Sequence, residues 1–372
     1  MFDLNPLYMS KFRAKWKHLN CLSLSATNPQ PFTLDELNQL LGENILNFDP
    51  QMSLDYGNAS GLPALRHALK THLFPSLEEE NIITSAGAQE GIFVAMHALL
   101  KKGDEVISFS PIFEPLIKCA QDLGCKVQLL PLSEERGWTI DFNRFEELVS
   151  ENTKMVIINF PHNPTGAHLR IEELEEIISI CRRKDVWLFS DEVFRGLEHE
   201  PKNRLPAVAS MYEKGISIGV VSKSHGTPAF RVGWIASPSP RFLKNALLVK
   251  GYLSICNDLF SEHALVPVIN HSNLIFETHR KGLVENLKKL DLLAEKYPHF
   301  SFVSPEGGCT VFASCGQDSD IFADALAKDA GLLVIPGKAF CSTSNAFRLG
   351  YSFNNFGERL VGFDNALSKV RT

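Results

Sequence analysis

The sequence predicts an α/β fold in which a mostly parallel seven-stranded sheet is covered by helices and joined by a smaller α+β domain. Three observations support this prediction. From about residue 80 onward, short apolar runs rich in β-forming residues alternate with longer helical stretches, which is typical of parallel strands with helical crossovers. The runs are almost continuously apolar, as expected for strands buried on both faces. The composition, 44% hydrophobic and 22% charged over 372 residues, is that of a globular protein.

Seven runs are predicted to form the strands of this sheet. Helical segments lie between them, for example residues 90–103 ("EGIFVAMHALLKKG") and 171–185 ("IEELEEIISICRRKD"). The last run follows its predecessor too closely for a helical crossover, so we expect it to pair antiparallel or to follow an irregular loop. The runs are residues 81–86, 104–110, 126–132, 154–160, 186–192, 215–222 and 232–237.

After about residue 240 the pattern changes to long helical stretches followed by short strand-like pieces. We therefore expect three regions. Residues 41–265 form the large α/β domain, residues 266–372 form the small C-terminal α+β domain, and residues 1–40 form an N-terminal segment that joins the small domain.

Composition excludes several classes of function. The net charge is −6 and no basic face stands out, so nucleic acid is not an expected partner. The eight cysteines include no CxxC pair; free thiols in a reducing cytoplasm are expected, without a metal site or disulfides. No apolar run approaches the roughly 18 residues that a membrane span needs, and the N-terminus lacks the apolar core of a secretory signal.

Ligands of open parallel sheets bind beyond the carboxyl ends of the strands, so the residues that follow each strand are candidates for a binding site. After the first strand, Gly87 permits a tight turn, and Ala88 and Gln89 open a helix whose free N–H groups form an anion site. After the second strand, Phe113 is placed to lay its ring over such a site.

Three polar residues follow later strands at the same edge. Asn163 lies in the Pro-rich turn "NFPHNPTG", while Asp191 and Lys223 close apolar runs. A carboxylate or an ammonium is costly there unless it has a partner. One explanation is that Asp191 and Lys223 simply pair with each other. The other is that all the strand ends together form one site with an anion cradle, an amide, a carboxylate and a lysine.

A phosphorylated aromatic cofactor with a basic ring nitrogen and a covalent link to lysine would use this whole set. Pyridoxal 5'-phosphate is such a molecule. The segments "NFPHNPTG", "SDEVF", "SKSHGTPAFRVGW" and "AFRLGYSF", taken together and in this order, resemble the class I/II aminotransferases among the fold-type I pyridoxal-phosphate enzymes. The resemblance extends from about Tyr56 to the C-terminus.

This resemblance implies a role for each matching residue. Lys223 is implied to form the Schiff base with the cofactor and to move the substrate proton, and Asp191 to keep the ring nitrogen protonated. Asn163 is implied to bond the phenolic oxygen and to contact the substrate, and Phe113 to stack on the ring. The implied phosphate site consists of Gly87, Ala88, Gln89, Ser222 and Arg231.

Two further residues carry implications for substrate and assembly. Arg348, in "FRLGYSF", matches the arginine that binds the substrate α-carboxylate, and its planar fork suits bidentate binding. Tyr56 resembles the tyrosine that reaches the phosphate of the neighbouring subunit, which implies a homodimer with shared active sites.

The chain departs from the family pattern at three positions. Phe194 stands where the family usually has a tyrosine that donates to the phenolic oxygen. Either the change is tolerated, or it raises the pKa of the lysine–cofactor linkage and shifts the reaction preference. Val220 replaces a serine or threonine that often contacts phosphate, and Ala229 replaces a common glycine.

The function implied by the resemblance is transfer of the amino group of an L-amino acid to a 2-oxo acid. A β-lyase or a cyclising β/γ-replacement enzyme is the alternative with the same cofactor. A non-catalytic sensor domain for the cofactor is a third, but such domains usually follow a DNA-binding module, and no such module is evident in the N-terminal residues. No second arginine is marked for a side-chain carboxylate, and the N-terminal segment departs most from the family pattern.

Overall fold

The structure, a computed structural model, describes residues 6–370. Its strands are β1 (Leu22–Ser23), β2 (Ile82–Ser85), β3 (Glu105–Ser110), β4 (Lys126–Pro131), β5 (Thr153–Asn159), β6 (Trp187–Asp191), β7 (Gly215–Val220), β8 (Gly233–Ala236), β9 (Ser301–Phe302), β10 (Thr310–Ser314), β11 (Leu332–Leu333), β12 (Ile335–Pro336) and β13 (Ala346–Gly350). Its α-helices are α1 (Tyr8–Trp16), α2 (Leu34–Leu41), α3 (Pro63–Leu73), α4 (Ala88–Leu99), α5 (Pro115–Asp122), α6 (Phe142–Leu148), α7 (Ile171–Arg183), α8 (Pro240–Gly251), α9 (Leu259–Asn270), α10 (Ser272–Lys296), α11 (Ser319–Ala330) and α12 (Phe356–Leu367).

The predicted seven-stranded sheet is confirmed, with the order β2-β8-β7-β6-β5-β3-β4. Strand β8 runs antiparallel to both of its neighbours, and the remaining pairs are parallel. The short connection between β7 and β8 explains the reversal, because a parallel return would need a crossover of a dozen or more residues.

Both faces of this sheet are covered by apolar side chains. Successive residues of the central strands point to opposite sides: Ile157 and Phe189 join a hydrophobic cluster with α4 and α8, whereas Ile158 and Leu188 join a cluster that includes residues of α7. Strands buried on two faces must be apolar throughout, which is why their sequences are nearly continuous hydrophobic runs.

A second, four-stranded antiparallel sheet has the order β12-β13-β10-β9, consistent with the predicted smaller α+β part. The N-terminal segment packs on this part of the chain. Strand β1 pairs in parallel with β11, and the hydroxyl of Tyr8 donates to Asp320 at 2.5 Å. The domain limits at residues 40 and 265 stay predictions.

The parallel register brings three strand ends together. Asn159 at the end of β5 lies beside Asp191 at the end of β6, and Asp191 lies beside Ile218 of β7. The polar residues that follow these strands therefore meet at one edge of the sheet. Across residues 6–370, we find no helix with the length and apolarity of a membrane span.

Candidate active site

The N-terminus of α4 forms an anion cradle together with an arginine. Gly87, the N-cap residue, has φ 81° and ψ 170°, a conformation that favours glycine. A Cβ at this position would lie 2.6 Å from Nη2 of Arg231. Glycine thus allows the guanidinium to lie directly against the helix N-terminus, where Ala88 and Gln89 carry N–H groups without intrahelical acceptors.

Arg231 completes this cradle. Its Nη1 donates to Oγ of Ser222 at 3.2 Å and to the carbonyl oxygen of Pro228 at 3.0 Å. None of the ion pairs formed within residues 6–370 involves Arg231, and the side chain remains exposed. A helix N-terminus, a hydroxyl and an uncompensated guanidinium at one point fit a phosphate group.

Lys223 lies in the loop that follows β7 and does not pair with Asp191. Its Nζ donates to Oγ1 of Thr27 at 2.6 Å, and no carboxylate of the described chain lies within ion-pair distance. Burial of the amine lowers its pKa to about 8, and the positive charge of Arg348 also lowers it. The explanation as a structural ion pair therefore fails, and a neutral, nucleophilic amine is accessible near neutral pH.

Asp191 is the buried carboxylate at the end of β6, with 3% of its surface exposed. Oδ1 accepts from the backbone N–H of Val193 at 3.1 Å, whereas Oδ2 receives no hydrogen bond from any described residue. Burial raises the pKa to about 7, and the Val193 N–H and the charge of Lys223 only partly offset this increase. A cationic N–H donor, such as a pyridinium nitrogen, would stabilise the ionised form.

Arg348 is the most deeply buried cation of the site, with 1% of its surface exposed. Nη1 donates to Oδ1 of Asn163 at 3.0 Å, Nε donates to Oγ of Ser25 at 3.1 Å, and Nη2 donates to the Ser25 carbonyl at 2.8 Å. All these acceptors are neutral, and burial lowers the pKa of Arg348 to about 9. A buried guanidinium without a counter-ion is costly, so the arrangement fits an incoming carboxylate.

Asn163 is anchored by Asn159 of β5, the strand that pairs with β6 beside Asp191. Its backbone N–H donates to Oδ1 of Asn159 at 2.9 Å, and Nδ2 of Asn159 donates to the carbonyl of Asp191 at 2.9 Å. Since Oδ1 of Asn163 accepts from Arg348, the amide orientation is fixed, and Nδ2 remains as a donor toward the site.

The other predicted site residues have different environments. Phe113 is half-buried and packs against both hydrophobic clusters that cover the sheet. Phe194 is 1% exposed, and its ring lies so close to Gly308 that a Cβ there would be 2.8 Å away. The consequence of its missing hydroxyl stays a prediction. Tyr56 is 81% exposed, and its side chain forms no hydrogen bond within the described chain.

Three residues near the site, Ser25, Thr27 and Cys309, belong to none of the motifs that identified the other site residues. Ser25 and Thr27 come from the N-terminal segment, which reaches the site because β1 pairs with β11 and the N–H of Gly350 donates to the carbonyl of Leu24 at 2.7 Å. Cys309, immediately before β10, is fully buried. Burial raises its thiol pKa to about 12, although Lys223 and Arg348 act in the opposite direction.

Comparison with known proteins gives a consistent result. Residues 20–355 match the model of the family described as aminotransferase class I and II. Aspartate aminotransferase of Pyrococcus horikoshii is 29% identical over 325 residues, which cover 85% of this chain and 82% of that protein. Capreomycidine synthase of Streptomyces vinaceus is 26% identical over 336 residues, covering 88% and 86%. The crystal structure of a PLP-dependent aminotransferase from Streptococcus suis superposes with a TM-score of 0.92 and 26% identity, covering 100% and 99%.

The unpaired guanidinium of Arg348 leads to a testable prediction. Arg348→Lys keeps the charge but loses the planar fork, so kcat/KM for an amino acid should fall by about 100-fold, within the cost of about 2–5 kcal/mol for breaking a buried charge pair. Steady-state kinetics measure this loss. Arg144→Lys, at a surface arginine paired with Glu147, is the control, and equal kcat/KM values for the two variants would contradict the assignment.

Proposed function

Because the chain belongs to the class I and II aminotransferase family, we propose that Lys223, Asp191, Asn163 and Arg348 carry its reaction. The chain is a pyridoxal-phosphate-dependent aminotransferase, which transfers the amino group of an amino acid to a 2-oxo acid. The observation that carries the residue assignment is that the site contains three ionisable side chains, Lys223, Asp191 and Arg348, without an ion-pair partner within residues 6–370.

The residues around this edge fit the cofactor in charge and shape. The N-terminus of α4, Ser222 and Arg231 would hold the phosphate, Oδ2 of Asp191 would accept from the ring nitrogen, and Nδ2 of Asn163 would donate to the phenolic oxygen. Phe113 would cover the ring. Pyridoxal phosphate supplies an electron-withdrawing ring that takes up the electron pair left when the Cα–H bond of the amino acid breaks.

The protein side chains bind the substrate carboxylate and transfer the substrate proton. Arg348 binds the α-carboxylate of the amino acid, and its hydrogen bonds to Asn163 and Ser25 hold the guanidinium in position. Nζ of Lys223, oriented by its hydrogen bond to Thr27, would accept the proton from Cα of the amino acid and donate it to the aldehyde carbon (C4') of the cofactor. A general base works best when its pKa is close to the working pH, which is why the lowered pKa of this amine, about 8, matters.

Transamination can be tested without knowing the substrate. The cofactor-loaded enzyme is incubated with each of the twenty amino acids and no 2-oxo acid, and 2-oxo acid, ammonia and sulfide are assayed. We expect about one equivalent of 2-oxo acid per active site, because the cycle stops when no acceptor is present. The Lys223→Ala variant should give none.

The same assay separates the alternatives that share the cofactor. Continuous release of ammonia or sulfide from an amino acid alone would contradict transamination and indicate β-elimination. Continuous formation of a cyclised amino acid would indicate the replacement reaction, an alternative to which the similarity with capreomycidine synthase adds weight.

A homodimer is part of the proposal and is supported by an exposed apolar patch. Gly57, next to Tyr56, lies against the connection between α8 and α9, since a Cβ at Gly57 would be 3.9 Å from Cβ of Cys256 and 3.8 Å from Cδ1 of Leu259. Exposed apolar side chains of this kind mark protein–protein interfaces. The exposed members of the patch are Leu54, Tyr56, Tyr252, Leu253, Ile255 and Phe260. A cytoplasmic location is also proposed, supported by eight free cysteines, which suit a reducing compartment.

Mixed dimers test whether Tyr56 acts on the neighbouring subunit. Light scattering should give twice the 41.5 kDa mass of one chain. Co-expression of the Lys223→Ala and Tyr56→Ala chains should restore cofactor retention above that of either variant alone, because one site of each mixed dimer then has both side chains. A monomer, or mixed dimers without this recovery, would overturn the proposal.

A further inference from the structure

Lys250, near the end of α8, is a buried lysine that takes no part in the reaction described above. The residue is 1% exposed, and its Nζ forms no hydrogen bond within residues 6–370. None of the ion pairs found across this part of the chain involves it. A buried ammonium without a partner is costly, so nearby negative charge is needed to keep this side chain charged.

Two carboxylates on different helices supply negative charge to this ammonium. Burial lowers the pKa of Lys250, whereas the charges of Glu90 on α4 and Glu262 on α9 act in the opposite direction. Helices α4 and α8 pack together on one face of the large sheet, which brings Lys250 toward the first turn of α4. Lys250 is therefore a cation shared by two acidic residues and not one half of a single ion pair.

Each of these carboxylates fixes a backbone turn that belongs to a proposed phosphate-binding element. Glu90, in the first turn of α4, accepts a hydrogen bond from the N–H of Ala86, the residue before the N-cap. Oε2 of Glu262 accepts from the N–H of Leu62 at 2.6 Å, at the start of α3 and shortly after Tyr56. Lys250 thus lies between the phosphate site of its own subunit and the segment proposed to reach the neighbouring one.

The negative charge of Glu90 is unfavourable for phosphate binding. The cofactor phosphate would bind at the N-terminus of α4 beside Arg231, within about one helical turn of this carboxylate. Glu90 is only partly exposed, so solvent and salt screen its repulsion of a phosphate less than they would at a free surface. A positive charge near Glu90 reduces this repulsion.

We propose that Lys250 is a positioning residue for the cofactor phosphate: its ammonium offsets the charge of Glu90, so that the N-terminus of α4 keeps a net attraction for the phosphate dianion. The inference rests on the proposed phosphate site at α4 and Arg231. It concerns the phosphate group alone, so a ligand that lacks a phosphate should not respond to a change at Lys250.

The test measures the dissociation constant of inorganic phosphate for the cofactor-free, full-length chain by calorimetry. Lys250→Met removes the charge at nearly equal volume and should weaken phosphate binding by about 5-fold or more. Glu90→Gln keeps an oxygen that can accept from the Ala86 N–H and should strengthen binding by about 2- to 5-fold. In the double variant the two charge changes cancel, so its dissociation constant should lie within about 2-fold of the wild-type value.

Two controls separate this charge effect from a general structural effect. Lys244→Met removes an exposed lysine of the same helix and should leave phosphate binding unchanged. Pyridoxal has no phosphate, so its covalent binding to Lys223, followed by absorbance, should be equal in the wild type and in Lys250→Met. If Lys250→Met fails to fold, Glu90→Gln still tests the inference, because unchanged or weaker phosphate binding in that variant contradicts it.

The outcomes also separate this inference from the proposed phosphate site. Equal weakening of phosphate and pyridoxal binding in Lys250→Met, no weakening of phosphate binding, or no recovery in the double variant would overturn the role of Lys250. The phosphate site itself stands if Arg231→Gln weakens phosphate binding. If Arg231→Gln leaves that binding unchanged, the phosphate site fails, and the role of Lys250 fails with it.

Discussion

The fold holds Lys223 and Asp191 near one edge of the sheet and does not let them pair. Each then has a pKa displaced toward its uncharged form, as does Arg348. Removing charges from water without compensation costs several kcal/mol per ion, so this arrangement must be maintained by the rest of the molecule. The apolar strands provide that support, because their register fixes where each strand end lies.

The missing counter-charges are those that the ligands carry. The cofactor phosphate would bind to the N-terminus of α4 and to Arg231, and the ring nitrogen would pair with Asp191. The α-carboxylate of the substrate would pair with Arg348. This division explains why the cationic side chains of the site bond to neutral groups of the protein and not to carboxylates. Binding of cofactor and substrate should therefore stabilise the folded chain, by an amount that rises with the logarithm of ligand concentration over the dissociation constant.

The sequence predicted the large sheet and its polar edge because both follow from local patterns. Strands buried on two faces are apolar throughout, so a terminal Asp191 or Lys223 stands out against them. The reversal of β8 was one of two expected arrangements, the other being an irregular loop, since the preceding connection is too short for a crossover. Each of these inferences needs only a few neighbouring residues.

The contributions of the N-terminal segment could not be predicted in this way. Ser25 and Arg348 are 323 positions apart, and they meet only because β1 pairs with β11 in the folded chain. No periodicity in a short segment records such a contact, so the position of Thr27 beside Lys223 could not be predicted either. Tyr56 is a different case, because its proposed role depends on a second chain.

The central claim, that Lys223 is an amine without a counter-ion, can be measured directly. Cofactor-free protein is labelled with a small acylating reagent over a range of pH, and the modification of Lys223 is quantified by mass spectrometry with the exposed Lys154 in the same digest as an internal reference. Since only the neutral amine reacts, labelling of Lys223 should be half-maximal near pH 8. A midpoint near 10.4, the value of an unperturbed lysine, would contradict the account.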